Sequence, residues 1–399
     1  MPLFGKKHVY SEFRVMRDGF IIAGRKFPAA PGAAGQDKKC PVILCHGFTS
    51  SQKTTEDYAA QFAAWGYNAY TFDFVGGGPR NESSGRMSDM SVMTERDDLF
   101  AVMDYVLKES GAEKVILMGC SQGGLVCAIA SSQKPQLVDK LIMFYPALCI
   151  PDDAKSGRMM FFKFDPANVP EKVRFIGRLE ISRAYIEEMQ VFDPFASACL
   201  YPGDTLIVHG TKDKVVDINY SKCAYTSFCK NSGAAGKHFF VIQGGAHGFA
   251  PKHDVLAIAA VQQFLEGYSE VVTVDVEVQR TTTEKTGKDK TRYIPFTGGA
   301  SSRFFAGKIR PGAVDTWKWK DGKLVSCCAS YTISGFDLEG QSCEITINNR
   351  SKDGKNWQPE LSTDSRALDY LNHQQCRAIF EPRSGGPVIH IYAKAPQNL

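Results

Sequence analysis

Three residues, far apart in the chain, have the types and settings from which a reactive hydroxyl is built. They are Ser121 in VILMGCSQGG, Asp213 in TLIVHGTKDKVVD and His247 in HFFVIQGGAHGF. A serine hydroxyl is a poor nucleophile until a base takes its proton and an acid orients that base. Gly119-Cys120-Ser121-Gln122-Gly123 has the form G-x-S-x-G, which sets the serine on a sharp strand-to-helix turn between small neighbours. The pentapeptide alone is a weak signal, because Gly and Ser are common at turns. The apolar run before it and the helical pattern after it supply the required context. The partners should then follow in the order Ser, Asp or Glu, His, each in a loop after a strand. Asp213 and His247 do so. Singly, Asp213 also suits a turn and His247 a packed loop; together with Ser121 and in this order they form the candidate catalytic set.

Other residues of suitable type are less well placed. Asp217 lies further from its strand end, Asp73 precedes the serine, His253 begins the last helical pattern of its region, and His209 ends a strand. Cys120 adjoins Ser121 but does not hold the central position. An acyl-transfer site must also present fixed N–H donors to the oxyanion. The amide after the nucleophile, Gln122, is one candidate, and the amide of Phe48, in the loop that follows PVILCHG, is the other. His46 suits a loop-shaping hydrogen bond better than a chemical role.

These loops need strands to hold them. Apolar runs occur at 41–47, 68–74, 114–119, 140–148, 205–210 and 238–245, separated by segments of helical period such as DYAAQFAAWG and VMTERDDLFAVMDYVLKESG. Runs without polar alternation, each followed by a helix, indicate a mostly parallel sheet covered on both faces, a doubly wound α/β domain. Met87, Met90, Met93 and Met103 suit its helix–sheet core or nearby loops. Residues 149–204 break the rhythm with Pro, Phe and charge, and exceed an ordinary crossover, so they read as a functional lid or insertion, with an extra helix that merely covers the sheet as the other option. Phe161, Phe162 and Phe164 within it could furnish an apolar acyl pocket. After residue 268 the pattern becomes SEVVTVDVEVQR and further short strands between Gly, Pro and Asn turns, which indicates a mostly antiparallel sheet or small barrel over 269–399. Trp317, Trp319 and Tyr331 there read as core side chains, with the lining of a ligand cavity as the other option.

Composition bounds the function classes. The 399 residues suffice for two domains. A formal net charge of +4 implies no polybasic surface for nucleic acid. No apolar run suggests a membrane span, and MPLFGKKHVYSEF lacks the apolar segment of a secretory signal. The twelve cysteines are scattered without CxxC pairs, which suits free thiols in a reducing, cytoplasmic setting rather than zinc ligands. No cofactor or metal is required by the chemistry above.

The combination HGFTSS, FDFVGGGPRNESSGRMSDMSVMTERDDL, GCSQGG, HGTKDKVV and GGAHGF resembles the cinnamoyl or feruloyl esterase family of α/β-hydrolases, over roughly residues 10–268. The resemblance implies that fold, with a lid insertion, and serine-esterase chemistry through an acyl-enzyme. It implies Ser121, Asp213 and His247 as the triad and the Phe48 and Gln122 amides as the oxyanion hole. It further implies a lid that contacts a phenolic ring, with Asp153 and Tyr185 as partners for a ring hydroxyl and Phe162 beside them; the departure is Met160, where a polar lid residue is expected. YIPFTGG, GKIRPGAVDTW, SYTISGFDLEG and ITINNRS resemble a widespread family of small β-barrel proteins of unassigned function, which implies a fold and no activity.

The sequence therefore reads as a two-domain serine esterase acting on a small aromatic ester. The fused second domain is suited to binding substrate, carbohydrate or another subunit, a homodimer included. Two alternatives stay open: another acyl esterase or thioesterase on the same triad, and a binding or scaffold protein whose function lies in the barrel.

Overall fold

The structure is a computed structural model that describes residues 8–31, 40–160, 162–175, 177–234, 236–354 and 357–394. The chain divides into two compact units, Met1–Ile258 and Ala259–Leu399. The dividing point lies within a helix, ten residues before the 268/269 boundary expected from the change in strand pattern.

The first unit is an α/β-hydrolase fold. It opens with β1 (Ser11–Arg17) and β2 (Phe20–Phe27), an antiparallel hairpin. Asp18 (φ 48°) and Gly19 (φ 83°) supply the left-handed pair that its two-residue turn requires. β3 (Val42–Cys45), α1 (Glu56–Ala64), β4 (Ala69–Phe72), α2 (Val92–Ser110), β5 (Val115–Cys120), α3 (Gln122–Gln133) and β6 (Val138–Phe144) follow. α2 starts at Ser91, whose hydroxyl accepts from the Thr94 amide while Thr94 Oγ1 accepts from the Ser91 amide. It stops at Gly111, in the left-handed region at φ 68°.

The next stretch, the expected lid, carries α4 (Ile150–Ser156), the short pair β7 (Arg158–Met159) and β8 (Phe162–Lys163), and a second pair, β9 (Lys172–Arg174) with β10 (Glu180–Ser182). α5 (Arg183–Val191) and α6 (Pro194–Ser197) complete it before β11 (Asp204–Gly210), α7 (Ile218–Ser232), β12 (Lys237–Ile242) and α8 (Pro251–Leu265). Phe161 lies outside the described residues.

The eight-stranded sheet runs β1-β2-β4-β3-β5-β6-β11-β12, parallel from β4 onward. β3, β4 and β5 are buried at every residue, as strands covered on both faces must be. The edge hairpin was not anticipated, because β1 alternates charged with apolar residues and so lacks a continuous apolar run. Met87, Met90 and Met103 are buried in the core that packs helices on this sheet, and Met93 lies against it.

The second unit is a ten-stranded antiparallel sheet: β13 (Ser269–Val278), β14 (Thr282–Thr286), β15 (Asp289–Ser301), β16 (Phe305–Ile309), β17 (Val314–Lys320), β18 (Lys323–Asp337), β19 (Ser342–Ser351), β20 (Gln358–Thr363), β21 (Arg377–Glu381) and β22 (Val388–Ala393). Its main path is β20-β19-β18-β16-β15-β13-β22-β21, with β14 on β15 and β17 between β15 and β18. The sheet curls so that its end strands β20 and β21 approach each other, though no ladder joins them among the described residues. Alternate residues of β13, β18 and β19 fill one core, including Val272, Val274, Ile333, Ile345 and Ile347.

Candidate active site

Every candidate residue of the first unit lies at or just beyond the carboxyl edge of the parallel strands or in the insertion above it. Ser121 follows β5 directly and precedes the first turn of α3. Its backbone sits at φ 54°, ψ −120°, a conformation side-chain-bearing residues adopt only when the surrounding structure imposes it. The small neighbours explain how the turn closes. A Cβ on Gly119 would lie 2.2 Å from the Gly123 carbonyl oxygen, and one on Gly123 would lie 2.4 Å from that of His46.

Ser121, His247 and Asp213 are brought into one hydrogen-bonded chain. His247 Nε2 is 3.0 Å from Ser121 Oγ and its Nδ1 is 2.8 Å from Asp213 Oδ2. An ionised Asp213 can only accept, so His247 carries its proton on Nδ1 and leaves Nε2 to receive one from the serine. The loop after β11 shapes itself around the carboxylate, since the Val215 and Val216 amides donate to Oδ1 at 2.8 and 2.9 Å. Burial alone would raise the Asp213 carboxyl. Hydrogen bonds from His209 and His247 and from the Val216 amide outweigh it and hold the group well below the usual carboxylate range. The Tyr145 ring packs on the His247 imidazole with centroids 4.6 Å apart and limits its swing.

His209, set aside on the sequence, lies on Asp213 as well. Its Nε2 is 3.2 Å from Asp213 Oδ2 and 3.1 Å from the Val216 carbonyl oxygen, and its Nδ1 is 2.7 Å from Ser221 Oγ. Two acceptors at Nε2 require the proton there, so Ser221 donates to Nδ1. Asp213 Oδ2 thus receives two imidazole donors. The other residues weighed and set aside have local tasks: Asp217 caps α7 through the Asn219 amide, and Asp73 accepts from the Gln52 and Glu82 amides.

His46 is fully buried and accepts at Nε2 from the Phe74 amide while Nδ1 donates to the Gly47 carbonyl at 2.8 Å. Burial lowers its pKa, which agrees with a neutral ring that holds the loop. That loop abuts the serine: a Cβ on Gly47 would stand 3.1 Å from Ser121 Cβ. The amides of Phe48 and Gln122 donate to no other group among the described residues. Both residues line the same cavity as Ser121, and Gln122 opens α3, where the helix dipole favours negative charge.

The cavity measures about 310 Å³, at the small end of ligand pockets. Besides Phe48, Ser121 and Gln122 its walls include Ile150, Asp153, Met159, Phe162 and Tyr185, with exposed Arg158, Met160 and Lys214 also on the lining. Asp153, Phe162 and Tyr185 are therefore together at the cavity, and all three come from the insertion. Phe164 is not among the lining residues; it packs beside Phe162 at 6.2 Å. Phe175, unremarked in the sequence, stacks near both Phe48 and Phe162, with centroids 5.4 and 5.3 Å away. Burial raises the Asp153 carboxyl, with the neighbouring Cys149 thiol donating to it.

Tyr185 is committed further than the sequence could tell. Its hydroxyl donates to Gln122 Oε1 at 2.6 Å, and Gln122 Nε2 donates to Glu95 Oε2 at 2.7 Å. With its O–H directed to Gln122, the Tyr185 oxygen is left with acceptor capacity alone. Glu95 is fully buried on α2, and burial pushes its carboxyl well above the usual range, against the hydrogen bond from Gln122. No local motif marks Glu95 or His209; each acquires its role from a partner distant in sequence or on the far side of a turn.

Comparison with known proteins follows the same geometry. A family model described as serine aminopeptidase, S33, matches residues 36–172. A triacylglycerol lipase from Burkholderia plantarii is 32% identical over 126 residues, 29% of this chain and 33% of the lipase, so the match spans about a third of that relative's length. Est1E from Butyrivibrio proteoclasticus, in a structure with ferulic acid bound, superposes with a TM-score of 0.55 at 23% identity, covering 64% of this chain and 98% of that one. DcsB, in complex with a substrate analogue, superposes with a TM-score of 0.51 at 19% identity over 65% of this chain and 99% of its own. With the sheet order and the strand-turn-helix at Ser121, these likenesses establish the fold: the first unit of this chain is an α/β-hydrolase fold.

Proposed function

We propose that the chain is a serine ester hydrolase that cleaves small aromatic esters of the hydroxycinnamate type through an acyl-enzyme. The observation that carries this reading is the Ser121–His247–Asp213 chain beside a small cavity lined by Ser121, Phe48 and Gln122, the last two with uncommitted amides among the described residues. As Ser121 Oγ attacks the ester carbonyl, its proton passes to His247 Nε2. Asp213, ionised throughout, holds the imidazole and stabilises its charged form. The Phe48 and Gln122 amides take the oxyanion. The tetrahedral adduct collapses, His247 protonates the departing alkoxide, and water repeats the sequence on the acyl-enzyme to release the acid and restore Ser121.

The walls favour a flat acyl group. Phe48 and Phe162 line one aromatic side, with Phe175 packed behind both, and Asp153 and the Tyr185 oxygen offer partners to ring hydroxyls. The ferulic acid in the Est1E structure supports the same substrate class. No helix among the described residues is long and apolar enough to cross a membrane, and with its many buried thiols the protein is assigned to the cytoplasm as part of this proposal. The test is hydrolysis of methyl ferulate beside p-nitrophenyl butyrate by wild type and Ser121→Ala. Ferulate turnover that is lost in the mutant is the expected result. Butyrate turnover alone would retain the hydrolase and discard the aromatic pocket, and turnover undiminished in Ser121→Ala would discard the nucleophile.

A further inference from the structure

The interior face of the second unit changes character toward one end. Residues paired across the strands share a face, so the ladder can be followed row by row. One row joins Tyr331 on β18 to Ile347 on β19, and it is apolar apart from the tyrosine hydroxyl. The next joins Ile294, Asp315, Ala329, Asn349 and Pro359 across β15, β17, β18, β19 and β20. The row beyond contains Arg292, Trp317, Cys327 and Ser351, and after a bulge Lys290, Trp319 and Leu324 come last. A dry core thus gives way to polar and then aromatic side chains.

The polar row is unfinished. Asp315 Oδ1, Tyr331 Oη and Asn349 Oδ1 are buried and have no hydrogen-bond partner among the described residues. Tyr331 and Asn349 are 5% and 1% exposed, so bulk water does not satisfy them. Ala329 lies between Asp315 and Asn349 in that row and brings no polar group to it. Each orphaned oxygen costs about 1–3 kcal/mol if left so. Next to them stands a continuous set of half-buried rings. Trp317 is 6.0 Å from Trp319 and 6.3 Å from Trp357 between centroids, and Trp357 is 5.2 Å from Phe380. The Trp317 indole N–H donates to Asp315 Oδ2 at 2.7 Å, which fixes the ring and leaves Oδ1 as the carboxylate oxygen without a partner among the described residues.

We propose that this end of the second unit is a binding site for a neutral sugar ring, stacked on Trp317 and its neighbours with hydroxyls donating to Asp315, Asn349 and Tyr331. The charges choose among ligand classes. A cation is disfavoured because Lys290 already lies 4.2 Å over the Trp319 ring and Arg292 pairs in the ladder with Trp317. An anion is disfavoured because the unsatisfied atoms of Asp315 and Asn349 are acceptors. An apolar ligand would leave all three oxygens orphaned. Single waters would satisfy the oxygens but give no task to four contiguous rings kept half in solvent. A ring with apolar faces and a rim of hydroxyl donors meets both requirements.

The full chain is titrated with the methyl glycosides of glucose, galactose, xylose and arabinose, followed by tryptophan emission and by calorimetry. Saturable binding of at least one glycoside is expected. Trp317→Ala and Asn349→Leu should each weaken it by about tenfold or more, the size of one hydrogen bond to a polar acceptor or one stacking contact. Trp65→Phe, in the first unit, should leave the signal in place. Where circular dichroism shows that Asn349→Leu has not folded, Trp317→Phe and Asp315→Asn replace it. The proposal is overturned by no saturable heat with any glycoside, by binding indifferent to these substitutions, or by preference for choline or methyl phosphate over the sugars. It is independent of the esterase reading, which rests on the other unit.

Discussion

At the scale of single residues, the chemistry of the first unit is concentrated on Asp213 Oδ2, which accepts from His247 and from His209. His209 touches no ligand-facing atom, so it acts as a positioning residue. On the proposed mechanism its N–H would keep the carboxylate from rotating away as the imidazole gains charge. His209→Phe keeps the ring volume and removes that donor. It should lower kcat on a turned-over ester by about tenfold, near 1.4 kcal/mol in the barrier, with KM little changed. His209→Gln, which retains a donor, should recover part of the loss. Steady-state kinetics of the two variants check this, and a matched fall of kcat with a large rise in KM would argue for a general disturbance of the pocket instead.

The three residues of this chain were legible in sequence for a physical reason. Each stands immediately beyond an apolar run, in a loop whose direction the strand fixes, and their order matches one known arrangement. His209 and Glu95 were not. A histidine at a strand end and a glutamate within a helix carry no local mark, and their partners are visible only when β5, β11 and α2 are packed together.

At the scale of elements, the insertion is bound to the nucleophile turn by one buried hydrogen bond, from Tyr185 on α5 to Gln122 at the start of α3. Tyr185→Phe would strip the donor and leave Gln122 Oε1 buried without a partner. A loss of about 1–3 kcal/mol in unfolding free energy is expected, measured by urea denaturation. On the proposed mechanism activity should fall with it, because the Gln122 amide that would meet the oxyanion belongs to the residue whose side chain Tyr185 holds. The central strands were legible as continuous apolar runs, whereas β1 and β2 were passed over despite the Asp18-Gly19 turn between them. β1 is a half-exposed edge strand whose seven residues mix charged with apolar, and the buried part of β2, Ile22 to Arg25, is a short run that ends in arginine. The small elements β7 to β10 are too short for any period to show.

At the scale of the whole molecule, each unit keeps its own buried charge. In the second, His390 on β22 lies between Glu270 on β13, at 2.7 Å, and Glu381 on β21, at 3.3 Å. Burial works against its protonation, but the charge and hydrogen bond of Glu270, and then those of Glu381, override it and raise the imidazole to about 9. A raised value means that the charged form stabilises the folded state. That stabilisation is complete below the ordinary value of 6.5 and disappears as pH rises through about 9. At about 1.4 kcal/mol for each pH unit between the two values, the loss amounts to up to about 3 kcal/mol. Unfolding followed by emission from Trp317, Trp319 and Trp357 should show a midpoint that falls between pH 6.5 and 9.5, and His390→Gln should flatten that dependence. A wild-type midpoint constant across this range would contradict the assignment. Trp357 carries no mark in the sequence, whereas Trp317 and Trp319 read there as core, with a cavity lining as the other option. They became a half-exposed cluster only when the ladder and the curl of the sheet brought Trp357 and Phe380 beside them.

The thiols give the two units separate clocks. Cys223 and Cys328 are exposed, while Cys45, Cys120 and Cys127 are buried around the nucleophile turn, and Cys327, Cys343 and Cys376 lie in the second unit's interior. Burial raises Cys45 and Cys120 in the one unit and Cys327 and Cys376 in the other, so an alkylating reagent reaches them as thiolates only when the chain opens. The native protein thus carries its own probes of breathing. A time course of modification, resolved peptide by peptide, would rank the opening rates of the two units without a single introduced label.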